Sequence, residues 1–213
     1  MSLFAILLGG DLTVTPRLRR QLQGARYIAA DSGMMHAAAL GITPELWVGD
    51  FDSAVSELRI QYKHVPHATF PADKAATDGA LAIAEARQRG ATAFVLAGGL
   101  GGQADHMLGH LGQMLALVRE GFPTLLTSGH EEAHALLAGR QSIALAAGER
   151  ISIIPFADLV GLDLHNVKWP LQKRDVPLGS TLTLSNVAAG PVAVGLQQGY
   201  GVILAYPGEG GDD

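Results

Sequence analysis

Acidic residues recur where predicted strands end and where predicted helices begin. They are Asp31, Asp50, Asp52, Asp73, Asp78 and Asp105. In open parallel sheets, ligands bind outside the carboxyl ends of the strands, where the following loops converge. Carboxylates gathered there repel one another unless cations lie among them, and Mg²⁺ prefers such hard oxygen ligands. The sequence therefore predicts a divalent metal site at one edge of a parallel sheet.

Each acidic residue taken singly has a simpler interpretation. Asp50 and Asp52 have the side chain that favours turns, because Asp readily bonds its own backbone. Asp78 and Asp105 suit the first turn of a helix, where the macrodipole favours negative charge. Several acidic loops at successive strand ends nevertheless favour the metal site.

A glycine-rich segment lies between a predicted strand and a predicted helix. Its glycines are Gly98, Gly99, Gly101 and Gly102. This is the right place for backbone N–H groups to meet a phosphate or a flat base. The spacing matches neither the dinucleotide-binding G-x-G-x-x-G pattern nor a P-loop, so the segment alone predicts a tight turn equally well.

Histidines form two pairs spaced four apart, His106 with His110 and His130 with His134. Such pairs hold zinc when both lie on one helix face, but the H-E-x-x-H arrangement and cysteine are both absent from the sequence. A zinc site is therefore disfavoured. We expect His106 to contact a ligand and the other histidines to lie on the surface.

The elements that must position these residues alternate between strands and helices over the first two-thirds of the chain, which is typical of an α/β layer fold. We predict strands over 4–8, 26–30, 46–48, 63–65, 91–97 and 123–126. Helices are predicted over 32–40, 77–89 and 105–120, with a helix start at Thr15 and Pro16.

Short alternating apolar runs replace this pattern after about residue 130. The predicted strands are 143–146, 151–154, 160–164, 181–184, 192–194 and 202–205. The sequence thus predicts a Rossmann-like α/β domain with a parallel sheet over 1–132, followed by an all-β domain over 133–213.

Composition restricts the function further. The net charge is −5 and no basic stripe is visible, which argues against a protein that holds nucleic acid by its phosphates. The sequence has no cysteine, which excludes disulfides, thiolate metal sites and cysteine nucleophiles. The apolar run over 1–10 lacks a basic flank and predicts a buried strand, and no run approaches the length of a membrane span. We therefore predict a cytoplasmic protein.

Six segments resemble, in order and spacing, the signatures of thiamine pyrophosphokinases. They are ADSG at 30–33, GDFDS at 49–53, DK at 73–74 with TD at 77–78, GGLGGQADH at 98–106, VKWPL at 167–171 and LSN at 184–186. The GDFDS string is the most specific single match. The resemblance extends over about residues 5–205.

This resemblance implies that the first domain is catalytic and the second sandwich-like. It also implies a homodimer with active sites shared between subunits, and thiamine and ATP as substrates. The charge and the hydropathy have already argued against a nucleic-acid or membrane partner. It implies that Asp50, Asp52 and Asp78 hold Mg²⁺, with Asp31 and Asp73 nearby. A carboxylate such as Asp73 is a candidate acceptor for the thiamine hydroxyl proton. The expected binding residues are Asp31, Gly33, Lys74, Thr77, Gly98, Gly99, Gly101, Gly102, Gln103, Asp105, His106, Trp169, Ser185 and Asn186.

Two departures from the family pattern leave alternatives open. The family usually has a further acidic residue where this chain has Ala75, and an arginine where it has Gln103. One alternative is a thiamine-binding protein with impaired catalysis. Another is a pyrophosphotransferase acting on a different alcohol, such as a pterin, since the metal core would serve equally well.

Overall fold

The computed structural model describes residues 2–49, 56–70 and 76–208, and no side-chain detail for Ser56. Within the chain, Met1–Gly129 and His130–Asp213 form two compact units. The N-terminal unit is α/β and the C-terminal unit is all-β, which confirms the predicted fold class.

The N-terminal unit contains a parallel sheet with strand order β6-β5-β1-β2-β3-β4. Its strands are β1 (Leu3–Leu7), β2 (Arg26–Ala30), β3 (Leu46–Gly49), β4 (His67–Thr69), β5 (Ala93–Ala97) and β6 (Thr124–Thr127). The central strands β1 and β5 are almost wholly buried, as expected for a parallel sheet covered on both faces.

Helices follow most of these strands. They are α1 (Pro16–Gln21), a 3₁₀-helix (Asp31–Met35) that continues into α2 (His36–Leu40), α3 (Ser56–Gln61), α4 (Asp78–Gln88) and α5 (Ala104–Arg119). Thr15 caps α1 by accepting a hydrogen bond from the Leu18 N–H, and Pro16 occupies its first turn, as predicted. The predicted single helix over 32–40 is thus a 3₁₀ turn followed by a short α-helix.

One predicted strand of this unit is wrong. Residues 63–65 form a turn in which the Val65 N–H donates to the Tyr62 carbonyl, 2.9 Å away. Val65 is buried where it packs beneath that turn, so an apolar residue is found here without a strand. The fourth strand comes slightly later, at His67–Thr69.

The C-terminal unit contains antiparallel strands with the order β11-β10-β12-β9-β13-β7, and β8 pairs with β12. They are β7 (Glu132–Leu136), β8 (Gly139–Ile143), β9 (Arg150–Pro155), β10 (Leu159–Val167), β11 (Leu171–Val176), β12 (Asn186–Leu196) and β13 (Gly201–Tyr206). The start of β12 pairs with β9, and the rest of it pairs with β8 and β10. A strand shared in this way lets two sheet layers enclose one apolar core, which includes Leu162, Val192 and Ile203.

The predicted strand over 181–184 is wrong, because these residues form a turn. The prediction assumed that the apolar residues of this segment point inward, but the structure buries the polar one instead. Thr183 is buried and donates its hydroxyl hydrogen to the Ile153 carbonyl, 2.7 Å away, whereas Leu182 and Leu184 are exposed. The pattern did not predict β7 or β11 either, and the strand predicted over 143–146 overlaps β8 only at Ile143.

Gly33 in the 3₁₀-helix packs directly against β1. A Cβ there would overlap the Leu7 carbonyl oxygen and come within 2.9 Å of the Leu8 nitrogen. Gly33→Ala must therefore displace backbone, and we expect it to lower the free energy of unfolding by about 1–3 kcal/mol, the usual cost of overpacking. Urea unfolding measures this change.

Gly112 in α5 provides the matched control, because a Cβ there meets no atom within 4 Å. Gly112→Ala should raise the free energy of unfolding by about 0.5–1 kcal/mol through helix propensity. Equal effects of the two substitutions would contradict the close packing at Gly33.

Candidate functional site

A cavity of about 550 Å³ opens in the N-terminal unit at the carboxyl ends of the parallel strands. It lies beyond β1, β2 and β5, and the first turns of α4 and α5 also contribute to it. The residues that line it are Leu8, Gly9, Gly10, Ala30, Asp31, Ser32, Ala76, Thr77, Asp78, Gly79, Gly98, Gly101, Gly102, Gln103, His106 and His110. Carboxyl ends of parallel strands are the expected place for a ligand in this class of fold.

Asp31 lies where β2 ends and the 3₁₀-helix begins. Its φ is 45°, in the left-handed region that is uncommon for a residue other than glycine. The indole Nε1 of the fully buried Trp47 donates to the Asp31 carbonyl, 2.8 Å away, and helps to hold this conformation. One oxygen of the Asp31 carboxylate lies 3.5 Å from the place of a Cβ on Gly49, so the carboxylate is beside the last residue of β3.

The N-terminus of α4 forms a second part of the wall. Thr77 is its N-cap, and the Thr77 hydroxyl oxygen accepts a hydrogen bond from the Ala80 N–H, 3.3 Å away. Asp78 is the first helical residue, where a negative side chain is favoured by the helix dipole. The structure thus brings Asp78 to the same cavity as Asp31.

The glycine segment and the start of α5 form the third part. Gly98, Gly101 and Gly102 have φ values of 82°, 82° and 72°, a backbone that side chains with a Cβ adopt only at a cost. Gln103 is the N-cap of α5 and makes no side-chain capping bond. The Asp105 carboxylate takes the His106 N–H of the first turn, which leaves the N–H groups of Ala104 and Asp105 available to an anion.

The described part of the wall carries two carboxylates, those of Asp31 and Asp78, and neither lysine nor arginine. Among the residues that the structure describes, no three histidine or acidic side chains gather closely enough to hold a metal ion. Asp50, Asp52, Asp73 and Lys74 lie outside the described residues, so the predicted metal site stays a prediction. The described wall alone is acidic, and an anionic ligand there requires accompanying cations.

Two histidines contradict the expectation that all but His106 lie on the surface. His36 is only 7% exposed, and its Nε2 lies 2.9 Å from the Gly10 carbonyl oxygen. His110 is half-buried in the cavity wall, with Nδ1 3.3 Å from the Gly99 carbonyl oxygen. Because a carbonyl only accepts, the bonded nitrogen carries the hydrogen in each ring. Nothing in the spacing of the sequence distinguishes these two from exposed histidines.

Burial lowers the pKa of both imidazoles below their usual value. For His36, the Gly10 and Leu8 carbonyls and the Asp11 carboxylate oppose this effect on the pKa. For His110, the Gly99 carbonyl opposes it, while nearby His106 lowers the pKa further. Both rings are therefore neutral near neutral pH.

Three predicted binding residues, Gly33, Gly99 and Asp105, lie next to the cavity but do not line it. Gly33 is buried and packs on β1, and Gly99 receives the His110 hydrogen bond through its carbonyl. Asp105 is exposed, and its carboxylate accepts from the His106 N–H, 2.9 Å away. His106 itself is exposed and lines the cavity, and its contact with a ligand stays a prediction.

The second histidine pair does not lie on a helix. His134 is in strand β7, where its Nε2 lies 3.2 Å from the Glu132 carboxylate, and His130 precedes that strand. His130 and His134 therefore do not form the helical pair that a zinc site of this kind requires. The rings of His106 and His110 lie 6.2 Å apart on α5.

In the C-terminal unit, the predicted residues Trp169 and Asn186 are in contact. The Asn186 side chain is 5% exposed, and it accepts from the Trp169 N–H at 3.1 Å and donates to the Trp169 carbonyl at 2.8 Å. The indole itself is 54% exposed, with the Lys168 ammonium 4.7 Å from its ring centre. Ser185 has a left-handed φ of 56°, and its N–H donates to the Ser152 hydroxyl.

These features define a class of protein with an α/β unit, which carries a ligand cavity at the carboxyl ends of its strands, followed by a β-sandwich-like unit. Residues 20–126 match the family model for the thiamin pyrophosphokinase catalytic domain, and residues 140–200 match the model for its vitamin B1 binding domain. The chain belongs to the thiamine pyrophosphokinase family.

Individual relatives agree with this assignment. The thiamine pyrophosphokinase of Bacillus subtilis is 30% identical over 191 residues, which cover 87% of this chain and 89% of the relative. The crystal structure of a Bacillus subtilis thiamine pyrophosphokinase superposes with a TM-score of 0.83 at 26% identity, covering 97% of this chain and 100% of that one. The yeast thiamin pyrophosphokinase structure shares the fold, with a TM-score of 0.79 at 13% identity, covering 98% and 87%.

The lowered histidine pKa values predict a pH-dependent stability. Histidines in the unfolded chain have a pKa of about 6.5, so below that pH the unfolded state binds protons that the folded state does not. Stability is therefore fully present above about pH 6.5 and is lost as the pH falls toward the lower pKa of the folded state. Urea unfolding should give a smaller free energy of unfolding at about pH 5.5 than at about pH 7.5.

The double variant His36→Gln/His110→Gln lacks both titrating groups and should lose less stability over the same interval. If its loss on acidification equals that of the wild type, these two imidazoles are not the cause.

Proposed function

We propose that this chain transfers a pyrophosphoryl group from ATP to the hydroxyl of thiamine, giving thiamine diphosphate and AMP. Membership of the family supports this reaction, and the cavity at the strand ends is the observation that carries it. The cavity joins an acidic wall with a glycine loop and a helix N-terminus, as a metal-accompanied phosphate chain requires.

The donor set fits Mg²⁺. Asp78 offers hard oxygen ligands with the Asp31 carboxylate in the same wall, and the described wall has no lysine or arginine to neutralise a triphosphate. Asp50, Asp52 and Asp78 would hold the ion. Gly49, which lies beside the Asp31 carboxylate, directly precedes Asp50 in the sequence. When bound, the metal neutralises charge on the phosphate oxygens.

The glycine segment and the start of α5 bind the phosphate chain through backbone N–H groups. Gly101 and Gly102 let the backbone approach the phosphates closely, and Gln103 at the N-cap leaves the first N–H groups of α5 uncapped by its side chain. Gln103 stands where the family usually has arginine. In this chain the backbone dipoles at the start of α5 therefore contact the phosphates in place of an arginine guanidinium.

Positioning accounts for most of the catalysis in this proposal. The thiamine hydroxyl attacks the β-phosphorus in line with the departing AMP, and the protein holds the two substrates in that geometry. Asp73 is the proposed acceptor of the hydroxyl proton.

Thiamine recognition falls to the C-terminal unit. The exposed indole of Trp169 offers a flat face to a cationic ring, with Ser185 and Asn186 beside it in the fold. We propose a cytoplasmic homodimer in which each C-terminal unit serves the active site of the partner. Among the described helices, none is both long and apolar enough to cross a membrane.

Asp78→Asn and Asp52→Asn should each lower kcat about 100-fold or more, because each removes a carboxylate that would hold the Mg²⁺ accompanying the phosphates. AMP release from ATP, thiamine and Mg²⁺ measures the rate, and circular dichroism checks the fold. Asp158→Asn is the matched control, since its side chain accepts the Leu178 N–H in the C-terminal unit, a bond that asparagine retains. Near-normal kcat in both site variants would remove the metal-binding role.

Trp169→Ala should raise KM for thiamine roughly 2- to 30-fold, the range of a cation–π contact, and leave KM for ATP nearly unchanged. Trp169→Phe keeps an aromatic face and should lose less. Initial rates with each substrate varied in turn give both constants. A rise in KM for ATP as large as that for thiamine would argue against this role.

The second candidate reaction, pyrophosphoryl transfer to a pterin alcohol, is tested in the same assay. AMP release is measured with thiamine, a hydroxymethylpterin and no acceptor. Release that depends on the pterin and not on thiamine would replace the proposed substrate.

A further inference from the structure

His36 joins three segments that border the cavity. It is the first residue of α2, directly after the 3₁₀-helix that begins with Asp31 and Ser32. Its Nε2–H donates to the Gly10 carbonyl, 2.9 Å away, in the segment after β1. The ring is buried and neutral, so this hydrogen bond lies in a medium where its loss is costly.

Gly10 in turn is bonded to the glycine segment after β5. The Gly10 N–H donates to the Gly98 carbonyl at 3.0 Å, and a Cβ on Gly10 would lie 2.5 Å from that oxygen. A Cβ on Gly98 would lie 3.3 Å from the His36 Nε2. We call His36, Gly10 and Gly98 the His36 bridge, because they link the ends of β1, β2 and β5.

We propose that His36 is a positioning residue, which fixes the wall carrying Asp31 and Ser32 at its distance from the glycine segment. The 3₁₀-helix and α2 follow one another without a break, so a bond at His36 constrains the residues one to two turns before it. Both carbonyl and N–H of Gly10 are occupied by this network, which leaves the segment after β1 little freedom. The bridge therefore sets the width of the part of the cavity that takes the phosphate chain in the proposed function.

The test compares His36→Leu, which fills space without a donor, with His36→Gln, whose Nε2–H can reach the same carbonyl. We expect His36→Leu to weaken ATP binding about tenfold, which corresponds to about 1.4 kcal/mol for a buried carbonyl left without its donor. KM for ATP should rise by a similar factor, with much smaller changes in kcat and in KM for thiamine. His36→Gln should recover most of the ATP affinity.

Isothermal titration calorimetry with ATP and Mg²⁺ gives the affinity without turnover. Amide hydrogen exchange gives a second reading: His36→Leu should speed exchange at Gly10, while Val95 in β5 keeps its protection. His165→Leu, an exposed histidine of β10, is the matched control and should leave every reading unchanged. A purely structural loosening would speed exchange at Val95 as well.

Wild-type ATP affinity and wild-type exchange at Gly10 in a folded His36→Leu would overturn the proposal. If His36→Leu does not fold, His36→Gln decides alone. This variant keeps a side-chain N–H for the Gly10 carbonyl, so an ATP affinity about tenfold weaker than that of the wild type would show that this hydrogen bond does not fix the cavity wall. The kinetic reading rests on the proposed function, whereas amide exchange does not. If the wild type releases no AMP, the proposed reaction fails while exchange at Gly10 still tests the bridge.

Discussion

The close approach of backbone segments at the carboxyl ends of β1, β2 and β5 is the constraint on which the site depends. Gly33 lies against the Leu7 carbonyl, and Gly10 lies against the Gly98 carbonyl, at separations that a Cβ would not permit. Because three chain segments meet so closely, their polar groups face one cavity and their backbone groups bond one another.

Most of the N-terminal fold could be predicted, because its strands are short apolar runs and its helices carry clear end signals. The run after Arg26 and the helix begun at Thr77 lie close to where the sequence placed them. The C-terminal unit was harder, because alternation alone does not say which set of side chains points inward. At 181–184 the buried member is Thr183, whose hydroxyl finds a backbone carbonyl, so an apolar-inward interpretation fails there.

The candidate site was predictable where the residue type itself carries the chemistry. Asp31 and Asp78 were expected near one another from their places at a strand end and a helix start, and both line the cavity. His36 and His110 were missed, because their burial depends on carbonyls of Gly10 and Gly99 that are distant in sequence. A single histidine in a sequence gives no sign of such a partner.

Asn186 holds Trp169 by both of its backbone groups while the indole stays exposed to solvent. The main chain at this position is therefore already ordered before any ligand arrives. A flat cation that settles on the ring restricts only the torsions of one side chain, and the entropic penalty of association is correspondingly small. An aromatic residue on a loose loop would lose far more freedom for the same contact, so in the proposed function Asn186 favours ligand binding by ordering the main chain at Trp169.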